Sequence, residues 1–344
     1  METSPKRLRA MLGAVLAVGL LASLPAGAAR AQEGKPVKVT FGTDWLAEAE
    51  HGGFYQALAT GLYKKRGLEV TIRQGGPNVN VVQNVAANVV DFQLTQEPFF
   101  LLSNVRENIP VVAVAAFFQK SSRVLITHPG QGNDTLEQLK GKPILISASA
   151  RNGFWLWLKA KYGYTDDQIR PYNFNAAPFL ADKNSAQQGL LTSEPYTVET
   201  EGGFKPVVIL LADHGYQDYN NIVMTRSKLA REHPEAVQAF IDASIEGWYS
   251  YLYGDPAPGN ALIMKENKEM TPALIASAIA LTKQYGIADS GDALSLGIGA
   301  MSDAKWQAIF DGAVAAGLYK ANLDWRKGYT LEFVNQKHGL AMKK

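Results

Sequence analysis

Residues 37–72 read VKVTFGTDWLAEAEHGGFYQALATGLYKKRGLEVTI, and this stretch indicates the class of fold. Its first five residues alternate between apolar and polar, as a half-buried strand does, and a polar loop follows at 42–45. Apolar residues then recur every fourth position, which predicts a helix over about 51–63. Beyond Gly67, residues 68–72 alternate again as a second strand. The stretch therefore predicts a strand-helix-strand unit.

The alternation of strands and helices continues along the chain. Valines spaced over 82–89 predict a helix, residues 91–94 a short strand, and the apolar residues 110–118 a strand buried on both faces. The pattern restarts after the Gly-rich segment 130–133. There Asp134-Thr135-Leu136-Glu137 is typical of a capping box that begins a helix.

The second block shows the same alternation of strands and helices, with strands predicted at 143–147 and 207–211. Tyr216 and Tyr219 follow where the chain should cross back, and they could lie either at a hinge or in a pocket. From Pro234 onward the pattern is mostly helical. Two strand-helix blocks and a helical tail predict an α/β protein of two lobes with a cleft between them. The tail is expected to brace the lobe-to-lobe crossings.

The N-terminal residues have the composition of a secretory signal peptide. Three basic residues within positions 6–9 precede an apolar run over 10–24, and Ala29-Arg30-Ala31 has the form of a cleavage site. The apolar run is shorter than the roughly 20 residues that a bilayer span needs. Residues 1–31 are therefore predicted to be removed before Gln32. Because no cysteine can carry a lipid, a Gram-negative periplasm is the expected location, with a retained anchor as the alternative.

Composition narrows the possible functions. Beyond the predicted signal peptide, about 313 residues carry 30 basic and 31 acidic side chains, enough chain for two lobes with cores. The near-neutral charge and the lack of a basic stretch argue against a nucleic-acid partner. With no cysteine and five scattered histidines, neither a disulfide nor a metal site is expected, and no cofactor is indicated.

Ligands of open α/β sheets bind beyond the carboxyl ends of the strands and near helix N-termini. The loops that this rule selects follow the strands at 37–41, 91–94 and 143–147, and include the segment 191–196. They offer acidic, amide, hydroxyl and aromatic side chains. The candidate ligand-binding residues are Asp44, Trp45, His51, Tyr55, Gln96, Glu97, Ser149, Arg151, Asn152, Trp155, Glu194 and Tyr196.

Several candidates have a purely structural alternative. Asp44 and His51 could cap the helix that follows, and Trp45 and Trp155 could be ordinary core residues. A ligand contact and a structural contact are left open for these four residues.

Two short segments of the chain repeat one pattern. Leu94-Thr95-Gln96-Glu97-Pro98 is echoed by Leu191-Thr192-Ser193-Glu194-Pro195, about 97 residues later. The echo is consistent with equivalent positions in two similar lobes that face one cleft. Because the residue before a proline is held extended, Glu97 and Glu194 should have a defined direction. Contact with the ligand or the hinge is favoured for both.

The opening stretch resembles the start of the NMT1/THI5-like solute-binding proteins of ABC importers. The residues that carry the resemblance are Asp44-Trp45, His51-Gly-Gly-Phe-Tyr-Gln-Ala-Leu and Gly61-Leu-Tyr-Lys-Lys-Arg-Gly-Leu-Glu-Val70. It continues through the helix-to-strand step at 85–91, both Glu-Pro pairs and the helix that opens at Pro234-Glu235. Nearly the whole chain after residue 31 is covered.

This resemblance implies an α/β periplasmic-binding-protein fold, with two lobes, a hinge and an interlobe cleft that closes on the ligand. Residues 32–126 and 221–344 are then expected to form lobe I with the C-terminal helices, and residues 127–220 lobe II. The implied partners are a small-molecule ligand, an inner-membrane ABC permease and its ATPase. The protein is expected to act as a monomer.

The branch that binds thiamine pyrimidine precursors resembles this opening most. Carboxylates at Asp44, Glu97 and Glu194 can accept hydrogen bonds from ring N–H and NH₂ groups. A sulfonate or nitrate site should instead present cations or helix N-termini, and Arg151 is the only obvious cation of the predicted loops. A small N-heterocycle is therefore expected. Three other ligands stay open: a sulfonate such as taurine, riboflavin, or an aromatic acid. A role in sensing instead of transport also stays open.

The main alternative of another class is a THI5-like pyrimidine-biosynthesis enzyme on the same scaffold. Those enzymes carry a cysteine-rich motif, which this cysteine-free chain does not have. The chain also lacks a G-x-S-x-G nucleophile segment. A binding protein without catalytic residues is therefore expected.

Overall fold

Two five-stranded mixed sheets and the helices around them make up the computed structural model, which describes residues 35–216 and 218–343. The predicted signal peptide lies outside these residues. Within them, no helix combines the length and apolar character needed to cross a membrane. The strands are β1 Val37–Gly42, β2 Leu68–Arg73, β3 Phe92–Thr95, β4 Val111–Phe118, β5 Arg123–Thr127, β6 Ile144–Ile146, β7 Ile169–Pro171, β8 Ala186–Leu190, β9 Val207–Leu210 and β10 Asn220–Arg226.

The helices cover the sheets and fill the C-terminal third of the chain. They are α1 Gly52–Ala59, α2 Leu62–Lys65, α3 Val81–Ala86, α4 Phe99–Arg106, α5 Phe154–Tyr162, α6 Ala177–Ala181, α7 Glu194–Gly202, α8 Ser227–Glu232, α9 Pro234–Tyr253, α10 Ala257–Glu266, α11 Pro272–Gln284, α12 Ala293–Leu296 and α13 Asp303–Ala315. Short 3₁₀ turns lie at Ala49–His51, Glu137–Leu139, Ser149–Asn152, Asp166–Gln168, Leu211–His214, Trp325–Gly328 and Leu340–Met342.

The two sheets have the same strand order and the same strand directions. The first sheet runs β2-β1-β3-β10-β4, with β1 parallel to β2 and β3, and β10 antiparallel to β3 and β4. The second runs β7-β6-β8-β5-β9, with β6 parallel to β7 and β8, and β5 antiparallel to β8 and β9. The loops after β3 and β8 therefore occupy equivalent places, as the repeated Leu-Thr-x-Glu-Pro pattern indicated.

One predicted boundary does not match the sheets. The strand Arg123–Thr127 pairs in the second sheet, whereas the sequence put residues up to 126 in lobe I. The crossing is the short polar link 119–122, and the Gly-rich segment 130–133 is a turn that follows β5. A Gly-rich segment is a stronger signal for a boundary than four polar residues are, so the pattern predicted the boundary near the glycines. The division into two hinged lobes stays a prediction.

The predicted capping box at 134–137 is shifted by one residue. The side chain of Gln138 accepts hydrogen bonds from the backbone N–H groups of Asp134 and Thr135, at 2.9 and 3.1 Å. The backbone N–H of Gln138 in turn donates to the Thr135 hydroxyl at 3.4 Å. The pair that matches the motif is thus Thr135 and Gln138, and it begins a single 3₁₀ turn rather than a helix.

The glycines of the His-Gly-Gly segment permit close helix packing. A Cβ atom on Gly53 would overlap the Trp248 indole, and one on Gly247 would overlap the carbonyl oxygen of Gly53. Helices α1 and α9 can therefore approach backbone to backbone only because both positions lack a side chain. The helix predicted over 51–63 is interrupted at Gly61, whose φ of 72° is left-handed.

The C-terminal segment contacts both crossings between the sheets, as the sequence predicted. In the first crossing, Gln119 donates from its backbone N–H to Ile287 O at 2.7 Å and from its side chain to Ala300 O at 2.8 Å. In the second, the Tyr219 hydroxyl accepts from the backbone N–H of Ser302 at 3.0 Å. Since Tyr219 is fully buried, it belongs to this brace and not to a pocket.

Candidate functional site

A cavity of about 540 Å³ lies where loops of the two sheets face each other. It is lined by residues that follow β1, β3, β6 and β8, which is where the strand-end rule placed the candidates. Among the predicted residues whose side chains the structure describes, six line it, and their role as ligand contacts stays a prediction. They are Asp44, Trp45, Gln96, Glu97, Ser149 and Glu194.

The cavity wall is acidic. Asp44, Glu48, Glu97 and Glu194 all line it, and Glu50 is buried close by. Burial, and then the neighbouring charges of Glu50 and Asp44, raise the pKa of the Glu48 carboxyl well above its ordinary value. Burial also raises the pKa of Glu194. So many carboxylates in one small space favour a ligand that brings hydrogen-bond donors or positive charge.

Glu48 presents a carboxyl group to the cavity. The residue is 7% exposed and lines the cavity, and its carboxyl group has no hydrogen-bond partner among the described residues. A buried polar group without a partner is costly unless something pairs with it. Glu48 is not among the predicted ligand-binding residues, because nothing in the Leu-Ala-Glu-Ala-Glu segment distinguishes its two glutamates.

Arg123 is the cation of the cavity wall, in place of the predicted Arg151. Its guanidinium donates to Glu97 Oε1 at 2.8 Å, with both side chains largely buried, and its Nε has no partner among the described residues. Burial raises the pKa of Glu97, and the adjacent guanidinium partly offsets that increase. Arg151 is exposed and does not line the cavity, because it points outward from a 3₁₀ turn.

Glu194 and Asp44 are both held by neighbours. Glu194 accepts from the Leu190 backbone N–H at 2.8 Å and from the Tyr172 hydroxyl at 3.3 Å. Nε2 of the fully buried His51 lies 3.3 Å from Asp44 Oδ1. His51 does not line the cavity; it contacts Asp44, which does.

Aromatic side chains cover one part of the cavity. The rings of Trp45 and Phe174 lie 4.5 Å apart between centroids, and Phe174 also contacts Tyr172 at 5.2 Å. Phe174 comes from the loop after β7, so this pair spans the two sheets. Phe174 and a second lining residue, Phe100, are not among the predicted ligand-binding residues, because no motif surrounds either one.

Tyr55, Trp155 and Tyr196 lie outside the cavity lining. The Tyr55 hydroxyl donates to Glu266 at 2.7 Å inside a buried cluster, and the Trp155 indole donates to Asp166 at 2.9 Å. Both are turned into the protein by their place on a helix, and neither lines the cavity. Tyr196 is half-buried and outside the lining. Asn152 ends the 3₁₀ turn at 149–152.

A family model described as NMT1/THI5 like matches residues 48–258, more than half of the chain. The chain belongs to the NMT1/THI5-like family. Similar proteins include the riboflavin-binding protein RibY of Chloroflexus aurantiacus, 23% identical over 305 residues that cover 86% of each chain. The formylaminopyrimidine-binding protein of Halalkalibacterium halodurans is 22% identical over 271 residues, 77% of this chain and 81% of that protein.

Solved structures confirm the predicted fold class. The periplasmic aliphatic sulphonate binding protein SsuA from Escherichia coli matches with a TM-score of 0.64 at 14% identity, covering 85% of this chain and 92% of that chain. The NMT1/THI5-like protein thus has the periplasmic-binding-protein fold.

Polar contacts connect the cavity of this NMT1/THI5-like protein to a crossing between the sheets. The Gln96 side chain donates to Asn221 Oδ1 at 2.5 Å, and the Asn221 amide donates to Glu50 O at 2.5 Å. The Glu50 carboxylate accepts from the Thr192 hydroxyl of the other sheet's loop. Asn221, at φ 46°, adopts a left-handed conformation that asparagine tolerates better than most residues. Gln96 thus links the cavity wall to this crossing.

The same crossing carries a buried acid. Asp218 is 4% exposed and its Oδ2 has no partner within the described part of the chain. Burial raises the pKa of Asp218 to about 7; the negative charge of Glu97 adds to this, and Tyr216 and Lys305 counteract it. The Tyr216 hydroxyl lies 3.5 Å from Glu97 Oε2, and Tyr216 lines a separate small cavity rather than the main one.

Stability should therefore fall as pH rises from about 4 to above 7. In that window the folded protein keeps a proton on Asp218 that the unfolded chain, with a pKa of about 3.9, has lost. Raising the pKa from 3.8 to about 7 corresponds to on the order of 4 kcal/mol. Urea unfolding of Asp218→Asn should show a gain over the wild type at pH 8 that disappears near pH 4. A gain independent of pH would contradict this, and Asp213→Asn, at an exposed site, is the control.

Proposed function

We propose that this protein is the periplasmic substrate-binding component of an ABC importer. Its ligand is a small N-heterocyclic solute, similar to a thiamine pyrimidine precursor, which is captured when the two lobes close around it. The observation that carries the proposal is the acidic cavity between the sheets, with the unpartnered carboxyl of Glu48 in its wall. The family and the fold of the chain both agree with a binding role.

Glu48 offers the hydrogen-bonding pattern that complements an aminopyrimidine edge. Such an edge presents a ring nitrogen beside an exocyclic NH₂ group. A protonated carboxyl supplies one donor and one acceptor, and a carboxylate supplies two acceptors for a protonated ring. Because burial raises the pKa of Glu48, one proton can be shared between this residue and the ring in either arrangement.

The aromatic pair supports a flat ligand. Trp45 and Phe174 contact each other from opposite sheets, with ring centroids 4.5 Å apart, so a flat ligand packed against this pair would contact both lobes. Contacts made with both lobes favour the closed state, since a ligand shifts an equilibrium only by its differential affinity for the two states. A ligand that contacts Gln96 would be connected to the chain crossing through the hydrogen bond from Gln96 to Asn221.

The charges argue against an inorganic anion or a sulfonate. Arg123, the cation among the lining residues that are described, is already paired with Glu97. A sulfonate would meet several carboxylates and one neutralised guanidinium. Two of the similar proteins are named for riboflavin and for formylaminopyrimidine, both N-heterocycles, which supports the same ligand class. Riboflavin is therefore the nearest alternative ligand.

Import implies partners that recognise the closed form. These are an inner-membrane permease and its ATPase, with the binding protein acting as a monomer that performs no chemistry. Residues 1–31 would direct export and be removed. A sensing role would use the same cavity and the same closure.

Calorimetry on the mature protein tests the ligand class. We expect binding of 4-amino-5-hydroxymethyl-2-methylpyrimidine or a related N-heterocycle, and no binding of methanesulfonate, taurine or nitrate. A ligand present at 100 times its Kd should also raise the free energy of unfolding by roughly 2.7 kcal/mol. Binding of sulfonates alone would refute the assignment of the carboxylates. Turnover of the bound heterocycle, followed by mass spectrometry, would refute the binding-protein assignment.

A further inference from the structure

A second cavity of about 320 Å³ adjoins the first. Glu97, Phe100 and Ser149 line both, so the two spaces meet at these side chains. We propose that the second cavity receives a polar tail of the ligand while the ring occupies the first. This inference rests on the proposed function and narrows its substrate class to a ring that carries an oxygen-rich substituent.

The volumes favour a ligand larger than a single ring. Cavities of about 300–1,000 Å³ hold drug-sized molecules. The first cavity already lies within that range, and the second reaches its lower end. A bare pyrimidine would leave most of this space to water, whereas a ring with a tail would fill both spaces and displace it.

The second cavity has a different chemistry from the first. It lies beside α4, which contributes Ser103 and Arg106, and Tyr319 stands opposite. The Ser103 and Tyr319 hydroxyls are 2.8 Å apart, and the Tyr319 hydroxyl also donates to Phe99 O at 2.8 Å. Of the described residues that line this space, Glu97 at the junction is the one carboxylate.

Arg106 supplies the donors for a tail. Its guanidinium carbon is 5.4 Å from the centroid of the Tyr319 ring, and one of its nitrogens donates to Glu107 at 2.9 Å. A guanidinium has five N–H donors, so others are available to acceptor oxygens in the cavity. Hydroxyl and phosphate oxygens share that chemistry. The first cavity thus accepts hydrogen bonds from a ring, and the second donates them to a tail.

A glycine lies at the junction of the two spaces. A Cβ atom on Gly153 would lie 3.0 Å from Glu97 Oε2. The missing side chain therefore leaves room for the Glu97 carboxylate, which lines both cavities.

Matched pairs of probes, measured by calorimetry, test the tail. One pair is 4-amino-5-hydroxymethyl-2-methylpyrimidine and its monophosphate; the other is lumiflavin and riboflavin, with flavin mononucleotide as the phosphorylated member. We expect the member with the tail to bind about tenfold tighter or more in at least one pair. If only riboflavin bound more tightly than its tailless partner, the tail would be a hydroxylated chain. If the phosphorylated compounds bound more tightly than the unphosphorylated ones, the tail would carry a phosphate.

Variants connect the gain to the second cavity. Arg106→Gln and Ser103→Phe should each remove the advantage of the tailed probe and leave the tailless probe unchanged. Arg231→Gln, at an exposed position away from both cavities, is the matched control. Because Arg106 is exposed, its variant should fold even if the Ser103 variant does not. Equal affinity within every pair would overturn the inference and leave the proposed function intact. Failure of all probes to bind would overturn both.

Discussion

The Arg123→Met variant should be about 3–5 kcal/mol less stable than the wild type in urea unfolding at neutral pH. The substitution leaves Glu97 buried without the guanidinium that donates to it at 2.8 Å. An uncompensated buried carboxylate is expensive, and it escapes the cost by taking up a proton. Since burial already raises the pKa of Glu97, the variant's deficit should shrink as pH falls toward 5.

A double substitution separates the ion pair from simple loss of packing. Arg123→Met combined with Glu97→Met removes both charges, and replacing a buried pair by apolar residues is often neutral or stabilising. The double variant should therefore recover most of the stability lost in the single variant. A double variant as unstable as the sum of the two single variants would show that the pair is not coupled.

Glu48→Met should weaken ligand binding by about 5- to 150-fold, the range expected when a buried partner is left unsatisfied by 1–3 kcal/mol. The unliganded variant should be at least as stable as the wild type, because the substitution removes a buried acid that pairs with no other described residue. Calorimetry gives the first quantity and urea unfolding the second. A loss of affinity together with a gain in stability would show that the Glu48 carboxyl serves ligand binding and not folding.

Glu48→Gln distinguishes the protonation states. An amide keeps one donor and one acceptor, so it should preserve binding if the carboxyl is neutral in the complex and lose it if the carboxyl is ionised. Glu69→Gln, at an exposed position on β2, is the matched control. If Glu48→Met left affinity unchanged, Glu48 would not contact the ligand and the chemical basis of the proposal would fail.

The lining residues that the sequence predicted are those that follow the ends of strands. Glu97 and Glu194 were found because a repeated motif placed them after equivalent strands, and the structure gives those strands the same position in two sheets of identical order. Asp44 and Trp45 follow β1 directly and likewise line the cavity. These four candidates lie within four residues of a strand end, where the backbone alone brings a residue to the edge of the sheet.

The residues that escaped prediction depend on long-range geometry. Arg123 begins a strand of the second sheet, and only the pairing of β5 with β8 and β9 brings it beside Glu97. Tyr55 and Trp155, two of the predicted ligand-binding residues, lie outside the cavity lining for a local reason. Both lie on helices, where each residue turns the side chain by about 100°, so proximity to a cavity in sequence does not determine which way a ring faces.

The identical order of the two sheets also bears on how selectivity can change. Side chains, not strand order, make the two sheet edges unequal: β5 begins with Arg123 and its counterpart β10 begins with Asn220. Both side chains also hold neighbouring groups in place, Arg123 by donating to Glu97 and Asn220 by donating to Gln96 O. A substitution at either strand start that changes which solute is accepted would therefore change the stability of the fold as well.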